Sequence, residues 1–592
     1  MDAFDYPVDS RTLLRKKIGL KKELLANSGG FPEKRIAVLG GSTTDEIVDQ
    51  LELFLLHYGI KPVFYQSAYA QYRQDAVFGS EKLDGFRPDI IFIHTNWRNI
   101  PEFPAPASTR EEADALLENT FGHFAAMWDA LFEKFRCPII QNNFDRPAWR
   151  LLGNGDIADH RGKTNFISRL NQKLYEYADG RPDFFVNDID YLAACYGLEA
   201  WSNPRYWHLY KYSLCVDAIP HLAKSVADIV KSIYGKNKKA LVCDLDNTLW
   251  GGVVGEDGAE GIRIGPEEPV GEIYSEFQKY IKELRAIGVL LAVNSKNEQE
   301  NALAGLNRPD GALKPDDFVS IRANWENKDR NMRAISEELG LGTDSFVFID
   351  DDPAERELVR RSDPGIAVPE MTRVEDYLRT IDRSGFFEVT SLSDDDLART
   401  GMYRANAQRV RLRESVENYE DFLKSLKMKA TIRGFEPAYT QRIAQLTNRS
   451  NQFNLTTLRC TESDIAAMQA SDSYLCLYGR LEDKFGDNGV VSVVAGQIEN
   501  GELHIRLWVM SCRVLKRRME DAMLDVLVSD AKKRGVRRIV GYYYPTRKNG
   551  SVRDFYERMG FSLRSADGAG NTAWELEISA YEPKDPCIEI YR

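Results

Sequence analysis

The sequence predicts a multidomain α/β protein, with two parallel α/β domains followed by a smaller α+β domain. Short apolar strands alternate with helical patterns through residues 35–350, and each strand ends in polar residues, which is typical of parallel sheets. At about 150 residues per domain, the 592 residues correspond to three or four domains. We therefore divide the chain into residues 1–235, 236–392, a helical linker at 393–428, and 429–592.

The most informative segment is the run 242–252, which follows directly on a short apolar strand at 240–242. It places Asp244 and Asp246 two residues apart, so both side chains project the same way from an extended chain. Two carboxylates that close repel each other unless a cation or a shared proton relieves them. The pattern therefore predicts a metal-assisted phosphoryl-transfer site. An acidic surface loop is the alternative for such a run taken alone.

Further polar positions follow the next predicted elements, and in a parallel sheet they would meet at the carboxyl ends of the strands. They are Ser295 after a strand at 289–293, Lys328 before an amphipathic stretch at 332–341, and Asp350 and Asp351 after a strand at 346–349. In this order the motifs resemble those of the haloacid dehalogenase (HAD) superfamily of phosphotransferases. That resemblance implies a Rossmannoid domain, here with a minimal cap.

The predicted catalytic roles follow from charge. Asp244 would attack phosphorus, because a carboxylate can carry a covalent phosphoryl group. Asp246 would protonate the leaving oxygen and later deprotonate water. Ser295 would donate to a phosphoryl oxygen, and Lys328 would balance the charge that develops during transfer.

We also expect a Mg²⁺ site, since this ion prefers hard oxygen ligands. Asp244, the backbone carbonyl of Asp246, and Asp350 would supply ligands, and Asp351 would support them. Two neighbouring polar residues are expected to contact the phosphate, namely Thr248 and Asn297.

Residues 1–235 show the same alternation, with a strand at 35–39 followed by a Gly-Gly-Ser turn. The order resembles the SGNH (GDSL-like) hydrolase fold, whose serine follows the first strand. Ser42 fits that serine and His208 would be its base, but Arg205 stands where the fold carries an aspartate. We expect an inactive scaffold or docking domain. Hydrolysis is the alternative, because a serine–histidine pair without its acid retains some activity.

Residues 429–592 open a new pattern, in which several strands accompany one long helix. Their order resembles the GNAT acyltransferase fold, including a late segment with Asn549 and Tyr556 that is expected to bind substrate. That fold holds a pyrophosphate on an R-x-x-G-x-G/A loop, where glycines let backbone amides approach.

The equivalent loop of this chain begins at Arg513, and Lys516 and Arg518 fill both glycine positions. We expect it to grip a phosphate or an acidic carrier protein. A solvated helix start is the alternative.

Two cysteines are candidate acyl-accepting nucleophiles. Cys512 precedes the basic loop, and positive charge favours the thiolate form of a cysteine. Cys243 is the rival, although it adjoins Asp244 and adjacent strand residues face opposite ways. Either cysteine could instead be a small buried hydrophobic residue.

Longer runs resemble the FkbH family of natural-product biosynthesis, namely 244–252, 348–351 with 355–356, 451–457, 485–489 and 510–513. The resemblance implies an enzyme that takes a glyceryl unit from 1,3-bisphosphoglycerate or a related acyl phosphate and holds it as a cysteine thioester. It would remove the remaining phosphate in the HAD site and load the unit onto the phosphopantetheine of an acyl carrier protein, in polyketide or related biosynthesis.

Charge and composition restrict the partners. A net charge of −12 argues against a general nucleic-acid or membrane surface. The eight cysteines show no C-x-x-C pair, which indicates reduced thiols and a cytoplasmic protein. We see no signal peptide and no apolar run of membrane-spanning length. Two other functions stay open: a Mg²⁺-dependent small-molecule phosphatase, and a carrier-docking scaffold with a regulatory HAD core.

Overall fold

The computed structural model describes residues 3–414, 416, 418–450, 452–546, 548–584 and 586–592. The chain divides into two compact units. Unit 1 is Met1–Lys236 with Glu388–Thr390, and unit 2 is Asn237–Phe387 with Ser391–Arg592. In the described residues no helix has both the length and the apolar character that crossing a bilayer requires.

Unit 1 is a parallel sheet of five strands in the order β2-β1-β3-β4-β5, packed between helices. The middle strand, Ile90–His94, is fully buried and apolar except at its last residue, because helices cover both faces of the sheet. Its strands are β1 Glu33–Gly40, β2 Lys61–Gln66, β3 Ile90–His94, β4 Ile139–Asn142 and β5 Phe184–Asn187. Its helices are α1 Ser10–Ala26, α2 Asp45–His57, α3 Tyr72–Val77, α4 Glu81–Phe86, α5 Arg110–Phe135, α6 Lys163–Asp179, α7 Ile189–Tyr196, α8 Leu198–Trp201, α9 Pro204–Tyr210 and α10 Ile219–Ile233.

The first part of unit 2 is a second parallel sheet, in the order β8-β7-β6-β9. One short helix, α11, lies between β6 and the long helix α12, which agrees with a minimal cap. The strands are β6 Ala240–Cys243, β7 Leu290–Ser295, β8 Ser320–Ala323 and β9 Phe346–Ile349. The helices are α11 Val254–Gly261, α12 Pro269–Ala286, α13 Gln299–Leu306, α14 Lys328–Leu339, α15 Pro353–Ser362 and α16 Val374–Arg383.

Three helices then lead to the C-terminal domain: α17 Asp394–Leu397, α18 Arg399–Glu414 and α19 Tyr419–Ser425. Tyr403 of α18 is buried with residues of β6 and β9. Arg409 of the same helix is paired at 2.7 Å with the fully buried Asp483 of the C-terminal domain. Helix α18 therefore joins the two halves of unit 2.

The C-terminal domain is a mixed sheet with helices, in the order β16-β17-β15-β14-β13-β12-β10-β18. Its strands are β10 Lys429–Arg433, β11 Phe453–Asn454, β12 Tyr474–Asp483, β13 Gly486–Glu499, β14 Glu502–Met510, β15 Arg538–Tyr543, β16 Ser562–Ala566, β17 Thr572–Glu577 and β18 Glu589–Tyr591. Its helices are α20 Thr440–Arg449, α21 Glu462–Ala470, α22 Met519–Lys533 and α23 Phe555–Arg558. The predicted multidomain α/β class is confirmed.

Strands β14 and β15 pair in parallel only over their first three residues. Beyond that point β11 pairs with the end of β14. The next residue, Leu455, donates to the Trp508 carbonyl at 3.2 Å and accepts from the Tyr544 amide at 2.9 Å. The chain's own backbone thus fills the gap between these two strands.

Candidate active site

Three carboxylates meet at the carboxyl edge of the sheet that contains β6. Asp244 follows β6, while Asp350 and Asp351 follow the neighbouring β9. One oxygen from each carboxylate lies within 4.8 Å of the others. Because three like charges this close repel strongly, and because hard oxygen donors suit a divalent cation, these residues fit the predicted Mg²⁺ site.

Lys328, the first residue of α14, lies among these acids. Its ammonium nitrogen is 2.8 Å from Asp244 Oδ1 and also bonds Asp350 Oδ2. Burial disfavours the lysine charge, but the Asp244 and Asp350 carboxylates outweigh it and raise the pKa of Lys328. Burial, with the charge of Asp244 adding to it, raises the pKa of Asp350 to about 7. Asp244 therefore contacts a positively charged lysine and lies beside an acid that loses its proton less readily than usual.

Asp246 lies outside the group of three carboxylates and is held by its own donors. Its carboxylate accepts from Trp250 Nε1 at 2.9 Å, from the Val254 amide at 2.9 Å and from Asn297 Nδ2 at 2.7 Å. Burial raises the pKa of this carboxyl group. An oriented carboxyl group that accepts a proton easily suits the predicted acid–base role.

Thr248 and Asn297 are placed differently from the prediction that they contact phosphate. Thr248 is fully buried, and its hydroxyl accepts from the Asp351 amide at 3.1 Å. The Asn297 amide bonds Asp246. Both side chains therefore hold acids of the site, Thr248 through the Asp351 amide and Asn297 through the Asp246 carboxylate.

The predicted Ser295 ends β7 and is almost fully buried. Two residues to which the sequence analysis gave no role support the site. Asn294 donates to the Lys328 carbonyl at 2.9 Å. The buried Arg356 donates to the carbonyls of Asp350 and Asp351 at 2.8 and 2.7 Å. An arginine one helical turn after the acidic run is the signal that could have indicated this support.

Ser42 and His208 do not form the serine–histidine pair that the alternative, hydrolysis, requires. His208 is exposed on α9, whereas the buried Ser42 donates to Ser213 Oγ at 3.2 Å. Ser213 is 2.9 Å from Nε2 of the buried His94, a histidine that the sequence analysis overlooked.

His94 is not placed to act as a base toward these serines. The Asn142 amide donates to its Nδ1 at 2.8 Å, so Nε2 carries the proton and donates to Ser213. Burial lowers the pKa of His94 to about 4, which keeps the ring neutral. This network favours the scaffold or docking interpretation of unit 1.

The two candidate cysteines differ sharply. Cys243 is fully buried in the apolar core of its domain, and burial, with Asp244 adding to it, raises the pKa of its thiol. It is therefore unsuited to accept an acyl group. Cys512 is half-buried at the start of a short turn after β14.

The basic loop after Cys512 keeps the backbone shape that glycines would favour. Lys516 and Arg518 have φ values of 66° and 62°, in the left-handed region that non-glycine residues rarely adopt. Arg513 donates to Ser511 Oγ at 3.2 Å. Lys516 is exposed, so its ammonium group can reach a ligand.

The other two predicted substrate residues of the C-terminal domain have structural roles. Asn549 is fully buried, and its amide donates to the Asn454 and Tyr544 carbonyls at 3.0 and 2.9 Å. Tyr556 is buried in the core, where a Cβ on Gly541 would lie 2.2 Å from its ring. Neither side chain is open to a substrate. Asn451, the first residue of the 451–457 run, lies outside the described residues.

Comparison with family models identifies part of the chain. Residues 35–231 match the model of the FkbH N-terminal domain. This part of the chain is therefore similar to the FkbH N-terminal domain. A search of curated proteins gives no match.

A solved structure extends the likeness beyond the FkbH N-terminal domain. It is the N-terminal part of the Bacteroides fragilis protein BF1531, which contains a phosphatase domain and is complexed with Mg; it is 28% identical, with a TM-score of 0.59. The match covers 64% of this chain and 99% of that one. The chain is thus similar to an FkbH N-terminal domain over residues 35–231 and, over a longer stretch, to a structure that contains a phosphatase domain.

Two acetyltransferases are similar to a smaller part of the chain. The ribosomal-protein-S18-alanine N-acetyltransferase of Escherichia coli is 17% identical over 26% of this chain and 96% of its own, with a TM-score of 0.21. The PaiA N-acetyltransferase of Thermoplasma acidophilum, in complex with coenzyme A, is 15% identical over 25% of this chain and 99% of its own, also with a TM-score of 0.21.

Proposed function

We propose that this protein is a glyceryl transferase and phosphatase that serves an acyl carrier protein. It captures a phosphoglyceryl unit from 1,3-bisphosphoglycerate on Cys512, removes the remaining phosphate at Asp244, and transfers the acyl unit to the carrier's phosphopantetheine in the cytoplasm. One observation carries the proposal: the Asp244 carboxylate bonds the Lys328 ammonium group and lies beside the carboxylates of Asp350 and Asp351. The likeness to a phosphatase domain complexed with Mg supports it.

In the phosphatase half-reaction, an Asp244 oxygen attacks phosphorus and the bond from phosphorus to the glyceryl oxygen breaks. Asp246 gives its proton to that leaving oxygen, then takes one from the water that attacks the aspartyl-phosphate. The Lys328 ammonium compensates negative charge on the reacting groups. Mg²⁺ bound by Asp244, Asp350 and Asp351 would stabilise charge on the phosphoryl oxygens.

In the acyl half-reaction, the Cys512 thiolate attacks the acyl carbonyl and the carbon–oxygen bond to phosphate breaks. Inorganic phosphate leaves with the electron pair, and a thioester forms. The cationic loop that follows Cys512, with Arg513 at its start, would attract the highly charged acyl phosphate.

The phosphatase assignment is tested with Asp244→Asn, which removes the nucleophilic oxygen but keeps the size of the side chain. We expect Mg²⁺-dependent phosphate release from a phosphate monoester to fall by at least about 1,000-fold. Asp352→Asn is the matched control, because this acid caps α15 through the Ala354 amide and stands outside the group of three carboxylates. Equal loss in both variants, or activity unaffected by Asp244→Asn, would contradict the assignment.

The nucleophile is tested by intact mass after incubation with 1,3-bisphosphoglycerate. We expect the wild-type chain and Cys195→Ala to gain the acyl mass and Cys512→Ala to gain none. Cys195 is a suitable control because it is exposed. Acylation that persists in Cys512→Ala would exclude Cys512. Phosphate release without any carrier loading would favour a simple small-molecule phosphatase.

A further inference from the structure

The loop between β8 and α14 carries an exposed tryptophan close to the carboxylates. Trp325 is 68% exposed, and among the described large apolar side chains of unit 2 none is more exposed. Three residues later, the Lys328 ammonium group bonds Asp244 at 2.8 Å. The loop that presents this indole to solvent is thus the loop that leads into the partner of the nucleophile.

The Trp325 indole is also tied to the loop that holds the predicted general acid. Its Nε1 donates to Glu298 Oε1 at 2.7 Å. Glu298 directly follows Asn297, whose amide donates to Asp246 at 2.7 Å. Because consecutive Cα atoms are about 3.8 Å apart, Trp325 and Glu298 lie at the rim of the site, on the side of Asp246.

A network of asparagines holds the Trp325 loop in place. The Asn324 amide donates to the Ser295 carbonyl at 3.1 Å. The side-chain amide of Asn331 donates to Asn324 Oδ1 at 2.9 Å and to Asn294 Oδ1 at 3.1 Å. Asn294 and Asn331 are buried, and buried amides keep their partners because an unpaired one is costly. The site itself therefore fixes where the indole lies.

This rim faces the part of the substrate that carries the leaving oxygen. In the proposed phosphatase half-reaction Asp246 protonates that oxygen, so the oxygen lies beside Asp246. In a 3-phosphoglyceryl unit only three bonds, or about 4 Å, separate the same oxygen from the acyl carbon. The acyl end of the substrate is therefore the part that reaches Trp325 and Glu298.

The two side chains favour a neutral acyl group that carries sulfur. The Trp325 ring offers an apolar face, and aromatic rings make favourable contacts with sulfur. The Glu298 carboxylate repels a second carboxylate placed beside it. Lys296, two residues before Glu298, is paired with Glu355, so it does not cancel this negative charge.

We propose that Trp325 and Glu298 make the phosphatase site select a phosphorylated acyl thioester and reject the corresponding free acid. The inference rests on the proposed function and names the chemical class that its phosphatase step accepts. In 3-phosphoglycerate a carboxylate stands where the thioester has a neutral carbonyl and a sulfur, and this charge faces Glu298. The enzyme thereby dephosphorylates the captured unit and spares the free acid.

Three phosphate monoesters test the charge of Glu298 in the full-length protein with Mg²⁺: 3-phosphoglycerate, its N-acetylcysteamine thioester and glycerol 3-phosphate. Glu298→Gln removes the charge but keeps an oxygen that can accept from the Trp325 indole. Relative to glycerol 3-phosphate, kcat/KM for 3-phosphoglycerate should rise about fivefold. The gain should shrink at high salt, because Glu298 is exposed and salt screens exposed charges. Glu326→Gln is the matched control, since this neighbouring acid is already paired with Arg330.

Trp325→Ala tests the apolar contact with the same three monoesters. Relative to glycerol 3-phosphate, kcat/KM for the thioester should fall about tenfold, which is the usual cost of one lost apolar contact in a specificity pocket. Trp149→Ala is the control, because Trp149 is 51% exposed but belongs to unit 1. It should keep the wild-type ratios.

The proposal would be overturned if wild type hydrolysed 3-phosphoglycerate as readily as its thioester. Equal changes toward all three monoesters, or unchanged ratios, in Glu298→Gln and Trp325→Ala would also overturn it. Hydrolysis of glycerol 3-phosphate shows that each variant is folded. If wild type hydrolyses none of the three monoesters, the proposed function itself fails and the inference with it, which is a different result.

Discussion

At the residue scale, the site depends on one buried cation among several acids. Lys328 and Asp350 are both almost completely buried, and the lysine bonds Asp350 as well as Asp244. A buried charge that loses its partner destabilises a protein, because neither water nor another ion compensates it. Lys328 therefore contributes to stability as well as to charge balance.

Lys328→Met should abolish most phosphatase activity and lower the free energy of unfolding by about 3 kcal/mol. Mg²⁺ should restore part of the stability, because the three carboxylates that remain repel one another without it. Thermal unfolding with and without Mg²⁺ measures this. Lys282→Met is the control, since its pair with Asp317 is partly exposed and should contribute less than about 1 kcal/mol. An unchanged melting temperature in Lys328→Met would contradict the argument.

Trp250→Phe tests how Asp246 is oriented. The substitution removes the indole donor to the carboxylate but keeps an aromatic ring in the core. We expect kcat to fall by about tenfold with KM nearly unchanged, which is a modest share of a general acid's usual contribution. Trp574→Phe is the control, because that indole bonds Thr572 far along the chain. A change in KM alone would indicate a role in binding substrate.

At the element scale, the sequence predicted the apolar central strands of the sheet that contains β6, and missed short strands such as β8 and β11. β6, β7 and β9 were expected within a residue or two of their bounds, because buried strands need continuous apolar runs. β8, with only two apolar residues among Ser320–Ala323, carries no such signal. β11 is two residues long and depends on pairing with β14, a contact that no local pattern encodes.

The same distinction applies to the site. The acids were predictable because carboxyl ends of parallel strands meet at one edge. The roles of Thr248, Asn297 and Asn549 were not, because a sequence does not show whether a polar side chain faces a ligand or the protein.

The loop before α22 offers a prediction at this scale. Lys516 holds a positive φ, a conformation that is strained for residues with a Cβ. Lys516→Gly should raise the free energy of unfolding by up to about 1 kcal/mol, since glycine adopts it without strain but loses more entropy on folding. Lys516→Ala, which keeps the Cβ, should leave it within about 0.5 kcal/mol. Denaturant unfolding compares them, and equal stabilities would contradict the assignment of strain.

At the scale of the whole molecule, helix α18 joins the two halves of unit 2. It buries Tyr403 with residues of β6 and β9, and it pairs Arg409 with Asp483 of the C-terminal domain. Contacts on one helix therefore hold the C-terminal domain against the sheet that contains β6.

The most direct measurement of this account is the mass of the acyl carrier protein after incubation with the wild-type chain, 1,3-bisphosphoglycerate and Mg²⁺. We predict a carrier that gains a glyceryl unit with wild type and no glyceryl unit with Asp244→Asn. A carrier of unchanged mass in both reactions, with phosphate still released by the wild-type chain, would contradict the account.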